Sequence, residues 1–249
     1  MGELVFKTQE ELIIESIEEA KSRYTRLTGL CSDGKHPNLQ AALSYAREKH
    51  KDQTRKSGEP YFIHPLTLAC NAEALGIHDD VLLAMLILHD VPEDTGVKVM
   101  DLPVDDETKK AVECMTCRQM PSESKLESKK RYYSGLADNK YAAIGKGLDR
   151  WNNLSTSAQA MSKASITKNC FETAVYLEPI LRDAKYKFPE YTNQIYLIRD
   201  VLKALVNTLS VVVGIRPLVF KVPPDDELMT RILSAKTDED LKKIPEIFP

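Results

Sequence analysis

The sequence lacks the features of a membrane or secreted protein. No run approaches the roughly 18 consecutive apolar residues that a membrane span needs. The first residues, Met1 to Glu11, do not combine a basic segment with an apolar one, as a signal peptide does. The 5 cysteines form an odd, scattered set that does not resemble a disulfide framework. We therefore expect a cytoplasmic protein with reduced thiols and no membrane contact.

The chain also lacks a strong excess of charge of one sign. Its 34 Lys and Arg residues nearly balance 37 Asp and Glu residues, which leaves a net charge of −3. That balance gives no reason to expect a nucleic-acid partner, so any recognition of anions must depend on local charge. A chain of 249 residues with 43% hydrophobic residues and only 10 glycines can bury a substantial core.

Alternating apolar and polar residues, the pattern of β-strands, are nearly absent, and helical periodicity dominates instead. We therefore expect an all-α fold. The β-branched run from Val211 to Val213 continues an apolar helical pattern, so we interpret it as the end of a buried helix. Helices are predicted over residues 9–28, 38–51, 65–75, 81–88, 106–117, 122–136, 141–154, 166–187 (kinked at Pro179) and 191–213.

One apolar segment ends in two polar residues. Leu82 to Leu88 is apolar on every face and is followed directly by His89 and Asp90. Burying these two side chains without partners would be costly. They fit either a His–Asp pair at a helix C-terminus or two ligands of a Zn, Mn or Fe ion.

Two further polar residues lie among apolar neighbours and would complete a set of two histidines and two aspartates. These are His64, in the run Tyr61 to Pro65, and Asp149. Taken alone, His64 also fits a core histidine, and Asp149 fits a salt bridge to Arg150 or another cation.

Acidic and basic residues surround the four candidate ligands. Helical spacing places Glu93 four residues after His89 and Asp94 four after Asp90, where a carboxylate could accept a proton from water. Alternatively, both simply begin the next helical turn, where Pro92 favours a break. Basic side chains that suit a phosphorylated substrate, or that form a solvated loop, are Lys51, Arg55, Lys56, Lys146 and Arg150.

Three blocks of sequence resemble the hydrolase domain of the RelA/SpoT alarmone enzymes and the small alarmone hydrolases. They are Gln53 to Pro65 (QTRKSGEPYFIHP), His89 to Thr95 (HDVPEDT) and Lys146 to Asn153 (KGLDRWNN), and they occur in the family's order. The resemblance implies an all-α HD-domain helical bundle that binds Mn²⁺. It implies hydrolysis of the 3′-pyrophosphate of ppGpp or pppGpp to give GDP or GTP and pyrophosphate.

The resemblance also implies roles for individual residues. His64, His89, Asp90 and Asp149 would bind the metal, and Glu93 and Asp94 would serve the attacking water. The residues implied for substrate binding are Arg55, Lys56 and Ser57 at the base and phosphates, and Asn153 and Thr156 at the nucleoside.

The chain is predicted to have three parts. The resemblance implies an HD hydrolase domain over residues 37–215, the helical pattern predicts an N-terminal helical extension over 1–36, and several prolines indicate a C-terminal extension over 216–249. We expect no synthetase domain, because the residues after Val213 are too few.

The sequence departs from the family at Pro92, where an apolar residue is usual, and at Gly147, which should loosen its helix by up to roughly 1 kcal/mol relative to alanine. Trp151 and Asn152 could reshape the pocket, which leaves two alternatives open. One is another nucleotide substrate, such as an adenine alarmone or a 2′-phosphorylated dinucleotide. The other is a catalytically silent nucleotide-sensing module.

Overall fold

The computed structural model describes residues 7–218 and 224–249. Parts of both predicted extensions, residues 1–6 and 219–223, lie outside that description. The described residues are helical, apart from turns and an isolated antiparallel bridge between Thr54 and Pro60, which confirms the all-α prediction. They divide into two compact units, Met1–Lys109 and Lys110–Pro249. The predicted domain boundaries stay a prediction.

The first unit is built around one apolar helix. Its helices are α1 (Gln9–Leu30), α2 (Pro37–Lys49), α3 (Ile63–Ala74), α4 (Asp80–Leu88) and α5 (Val91–Thr95). Every residue from Leu82 to Leu88 is buried, and α4 packs against α2 and α3, while α1 packs against α3. Because α4 lies in the core, the residues at its C-terminal end are also held at the edge of that core.

Capping residues explain where these helices begin. Thr8 and Glu11 form a capping box at the start of α1, and the helix continues to Leu30, two residues beyond its predicted end. Asp79 caps α4 by accepting from the amides of the next turn. The Asp80 carboxylate accepts a hydrogen bond from the Leu39 amide at 2.9 Å and stabilises the start of α2.

The second unit packs around a long C-terminal helix. Helix α6 (Asp106–Met115) crosses the boundary between the units and is followed by α7 (Lys125–Leu136), α8 (Lys140–Ala160), α9 (Lys163–Glu172), α10 (Glu178–Lys187), α11 (Thr192–Val213), α12 (Asp226–Ser234) and α13 (Asp238–Lys242). Helix α11 packs against α8, α9 and α10. Gly147 lets α8 approach α11 closely, because an added Cβ would lie 2.8 Å from Ile198 Cγ2.

Several details of the second unit differ from the prediction. The helix predicted over residues 166–187 is divided by a π-helical turn at Thr173–Leu177, just before Pro179. Val211 to Val213 end a helix as predicted, but Val211 is 74% exposed and Val212 is 55% exposed, so the prediction of burial was wrong for both. The predicted C-terminal extension contains α12 and α13, which the sequence did not predict.

The 5 cysteines are free thiols, and burial raises the pKa of Cys170 to about 12. Among the described residues, no helix is both long enough and apolar enough to cross a membrane.

Candidate metal centre

Three of the predicted ligands meet in the first unit. His64 lies in the first turn of α3, and His89 and Asp90 connect α4 to α5. One ligand atom from each of these side chains lies within 4.8 Å of the other two. His89 Nε2 is 3.0 Å from Asp90 Oδ2, and His64 Nε2 is 3.6 Å from the same oxygen. The cluster is therefore a candidate site for a divalent cation.

The spacing and chemistry of these atoms suit a first-row divalent metal. Metal–ligand bonds of about 2.0–2.2 Å place neighbouring ligand atoms roughly 2.8 to 3.6 Å apart in octahedral or tetrahedral sites. Both imidazoles are buried, with only 3% of each residue exposed, and Asp90 is partly exposed. Asp90 is therefore the most accessible of the three candidate ligands.

The tautomer of His89 is fixed by its own helix. His89 Nδ1 lies 2.9 Å from the carbonyl oxygen of Leu86. A carbonyl can only accept a hydrogen bond, so Nδ1 carries the proton and Nε2 of the neutral ring keeps its lone pair. Nε2 is the nitrogen that faces Asp90. Histidines that bind metals are commonly held in this way through their second nitrogen.

Tyr61 orients the carboxylate of Asp90. Its hydroxyl donates a hydrogen bond to Asp90 Oδ2 over 2.5 Å. Burial, reinforced by the carboxylates of Asp90 and Asp94, raises the pKa of Tyr61 far above its usual range, so the hydroxyl stays protonated and remains a donor. Tyr61 was not among the predicted site residues. The sequence does contain a signal that could have identified it, because a tyrosine within an apolar run needs a partner for its hydroxyl.

A second layer of side chains lies behind Tyr61. The ring of His50 lies with its centroid 4.8 Å from that of Tyr61, and His50 Nδ1 is 2.6 Å from Gln53 Oε1. The amide of Gln53 in turn donates to the backbone oxygen of Asp94 at 3.3 Å. These contacts fix the loop before α3 against α5.

Asp149 lies in the second unit, buried in α8 with 4% exposed. Lys146 Nζ lies 2.8 Å from Asp149 Oδ2, and the Asn153 amide donates to Oδ1 at 2.6 Å. Burial alone would lower the pKa of Lys146, but the Asp149 carboxylate raises it well above its usual range, so the ammonium stays charged. The role of Asp149 as a fourth metal ligand remains a prediction.

The sequence left either Arg150 or another cation as an ion-pair partner of Asp149, and Lys146 forms such a salt bridge. The Arg150 guanidinium instead donates to Glu172 Oε2 and to the Tyr133 hydroxyl, each at 3.0 Å. Arg150, Tyr133 and Glu172 are all buried. The sequence did not predict this network, which holds α7, α8 and α9 together.

The two proposed proton acceptors lie in the first turn of α5. Glu93 and Asp94 are both exposed, and the Asp94 amide donates to the Asp90 carbonyl at 2.9 Å. Pro92 occupies the second position of this helix, where its missing N–H is tolerated. The chain therefore does break after α4, as expected from Pro92, and a new helix begins at once.

The predicted substrate-binding residues occupy two separate segments. Arg55, Lys56 and Ser57 lie in the turn before α3, where Arg55 Nε is 3.5 Å from Glu59 Oε1 and Lys56 is exposed. In the second unit, Asn153 contacts Asp149, and the Thr156 hydroxyl donates to a backbone oxygen within α8. Their contacts with a nucleotide remain predictions.

Comparisons with known proteins point to one group of enzymes. A guanosine-3′,5′-bis(diphosphate) 3′-pyrophosphohydrolase of Aquifex aeolicus is 49% identical over 57 residues, 23% of this chain and 8% of that protein. A probable enzyme of the same name from Synechocystis is 32% identical over 128 residues, 49% of this chain and 17% of that protein. The bifunctional (p)ppGpp synthase/hydrolase SpoT of Escherichia coli is 44% identical over 64 residues, 26% of this chain and 9% of SpoT. The chain is related to the RelA/SpoT-type hydrolases.

This relationship confirms the resemblance that the three sequence blocks indicate. No family model matches the chain. The matched segments cover between 8% and 17% of the RelA/SpoT-type relatives just named.

Proposed function

We propose that the chain is a Mn²⁺-dependent hydrolase that removes the 3′-pyrophosphate of ppGpp or pppGpp and leaves GDP or GTP. The meeting of His64, His89 and Asp90 in one cluster carries this proposal. Relatives whose names state the activity support it.

In this proposal, His64, His89, Asp90 and Asp149 hold the ion. When bound, a divalent cation supplies a Lewis acid that neutralises phosphate charge and makes water more acidic. Tyr61 keeps the Asp90 carboxylate oriented through its hydrogen bond, and Leu86 keeps His89 in the tautomer that presents Nε2. The protein thereby fixes two of the ligands before any ion arrives.

Glu93 and Asp94 would take up the proton that the attacking water loses. Both carboxylates are exposed at the start of α5, one turn beyond the His89–Asp90 pair. The water oxygen forms a bond to the phosphorus attached to the 3′-oxygen, and the bond between that phosphorus and the 3′-oxygen breaks. A proton then goes to the 3′-oxygen, which gives the nucleotide product and pyrophosphate.

Substrate recognition would depend on the basic turn before α3 and on α8. Arg55 can grip phosphate with two hydrogen bonds or stack on a base, and Lys56 provides a second positive charge. Ser57 would lie beside them, and Asn153 and Thr156 would contact the nucleoside.

The test is a hydrolysis assay with purified protein, Mn²⁺ and ppGpp, in which GDP and pyrophosphate are measured. We expect His64→Ala and Asp90→Ala to abolish product formation while circular dichroism shows an unchanged helical content. His78→Ala serves as the control, because His78 is exposed and lies outside the ligand cluster. Full activity in His64→Ala or Asp90→Ala would refute the proposed site.

A panel of metals and nucleotides decides which metal and which nucleotide the site uses. Hydrolysis of an adenine alarmone or a 2′-phosphorylated dinucleotide, without hydrolysis of ppGpp, would change the proposed substrate but not the proposed metal site. Tight binding of ppGpp without product in any metal would favour a nucleotide-sensing module. A crystal grown with Mn²⁺ that showed Asp149 outside the coordination sphere would remove it from the ligand set.

A further inference from the structure

A cavity of about 450 Å³ lies between α1, the end of α2 and the start of α3. Its apolar walls include Ile17, Ala20 and Tyr24 from α1, and Phe62 and Leu66 from the other side. The volume falls within the range of small-molecule sites, roughly 300–1,000 Å³. None of the described residues that line it is a proposed metal ligand, and none is one of the residues proposed to contact the nucleotide under "Proposed function".

The polar residues around the cavity are mostly cationic. Lys21, Arg47 and Lys51 line it, and no carboxylate does so among the described residues. The two lysines each pair with a glutamate of their own helix at 2.7 Å, but these pairs are exposed and therefore weak. Arg47 lies 5.1 Å from the centre of the Tyr24 ring, so its guanidinium is held over an aromatic wall.

A buried histidine completes the wall. His50 is only 1% exposed, its Nδ1 lies 2.6 Å from Gln53 Oε1, and its Nε2 has no hydrogen-bond partner among the described residues. Buried polar atoms in native proteins nearly always have a partner, so an unpartnered nitrogen beside a cavity indicates that a polar group belongs there.

We propose that this cavity binds a small organic anion with an apolar body. The apolar body packs between α1 and the Phe62–Leu66 wall, and the anionic group lies near Lys21, Arg47 and Lys51. A polar group of the ligand, or a water that accompanies it, reaches His50. This proposal does not depend on the proposed hydrolase activity, and binding measurements alone test it.

Two fluorescent probes that share one apolar body separate charge from hydrophobicity. 1-Anilinonaphthalene-8-sulfonate carries a sulfonate, and N-phenyl-1-naphthylamine lacks it. We expect the full chain to bind the sulfonate at one saturable site and to bind the neutral probe roughly ten-fold more weakly, since a charge-assisted contact to Arg47 is lost. Equal affinity for both probes would overturn the proposed preference for anions.

Substitutions locate the site. Ala20→Trp fills the cavity and should weaken sulfonate binding roughly ten-fold or more. Ala204→Trp, on an exposed position of α11, is its control and should leave binding unchanged. Unaltered binding in a folded Ala20→Trp variant would refute the site.

Arg47→Gln gives an independent test that does not depend on tolerance of a large side chain. It should weaken sulfonate binding and leave binding of the neutral probe unchanged, whereas Arg182→Gln, at an exposed position of α10, should alter neither. If Arg47→Gln leaves the difference between the two probes intact, the anionic group does not bind where we propose.

Discussion

Replacing Tyr61 with phenylalanine is expected to weaken the affinity of the chain for Mn²⁺ about ten-fold. The substitution keeps the ring and removes only the hydroxyl that donates to Asp90 Oδ2 over 2.5 Å. Asp90 then loses one contact that holds its carboxylate beside His64 and His89. The ion must supply more of the ordering of this ligand, which makes binding of the ion less favourable.

The magnitude follows from the chemistry of the hydrogen bond. A hydrogen bond to a charged group contributes about 1.5–3 kcal/mol, and loss of a residue that orients a ligand typically costs about 10 to 100-fold in metal affinity. Tyr61 is only half-buried and Asp90 is partly exposed. Water can therefore replace part of the contact, and the lower end of the range applies.

Isothermal titration of metal-free protein with Mn²⁺ measures the effect directly, without reference to catalysis. Tyr132→Phe is a matched control, because the Tyr132 hydroxyl donates to the backbone oxygen of Met115 at 3.0 Å in the second unit. That variant should lose some stability and keep its metal affinity. A Tyr61→Phe dissociation constant equal to that of the unchanged protein would show that Tyr61 does not position Asp90.

Two further predictions concern stability. Gly147→Ala should lower the free energy of unfolding by about 1–3 kcal/mol in urea titrations, because the new methyl group meets Ile198, whereas Gly135→Ala has open space and should be neutral or stabilising. Equal effects of the two substitutions would contradict this packing argument. Hydrogen bonds from Arg131 lower the pKa of Glu123 to about 2, so the carboxylate stabilises the fold above its usual pKa near 4.5 and loses that effect as pH falls towards 2. The difference in melting temperature between the unchanged chain and Glu123→Gln should shrink across this interval, and a constant difference would refute the assignment.

Local signals in the sequence predicted much of the helical structure. The capping box at Thr8 and the cap at Asp79 depend on contacts within one turn, so the residues involved are close together in the sequence and indicate where a helix begins. The ends of helices were predicted less accurately than their existence. Helix α8, for example, continues to Ala160, six residues beyond its predicted end.

Burial and partners were harder to predict than helices. The apolar run at Val211 indicated a helix, but periodicity alone does not reveal that two of its valines face solvent. Likewise, Gly147 was expected to weaken α8, whereas its neighbours Ile198 and Leu181 show that the missing side chain permits close packing. Such effects depend on residues distant in sequence, which composition and spacing do not identify.

In the candidate site, too, the residues themselves were predicted but some of their contacts were not. His64, His89 and Asp90 were predicted from their apolar surroundings and from a family resemblance, and the structure brings them together. The contact from Tyr61 to Asp90 spans 29 positions in the chain. It was missed because the sequence alone does not identify which of many potential acceptors the tyrosine hydroxyl contacts.

The identity of the metal is a separate question from the existence of the site. Two imidazoles and a carboxylate are donors that Zn²⁺, Fe²⁺ and Mn²⁺ all accept, and at a given site affinity generally rises from Mn²⁺ through Fe²⁺ to Zn²⁺. Tighter binding of Zn²⁺ to the cluster of His64, His89 and Asp90 would therefore not contradict the proposal. Only the rate of pyrophosphate release with each metal identifies the catalytic ion. Catalysis needs an ion that binds the site and also leaves coordination positions for water and substrate. If Zn²⁺ bound more tightly and also supported faster release than Mn²⁺, the assignment of manganese would be wrong while the site itself would stand.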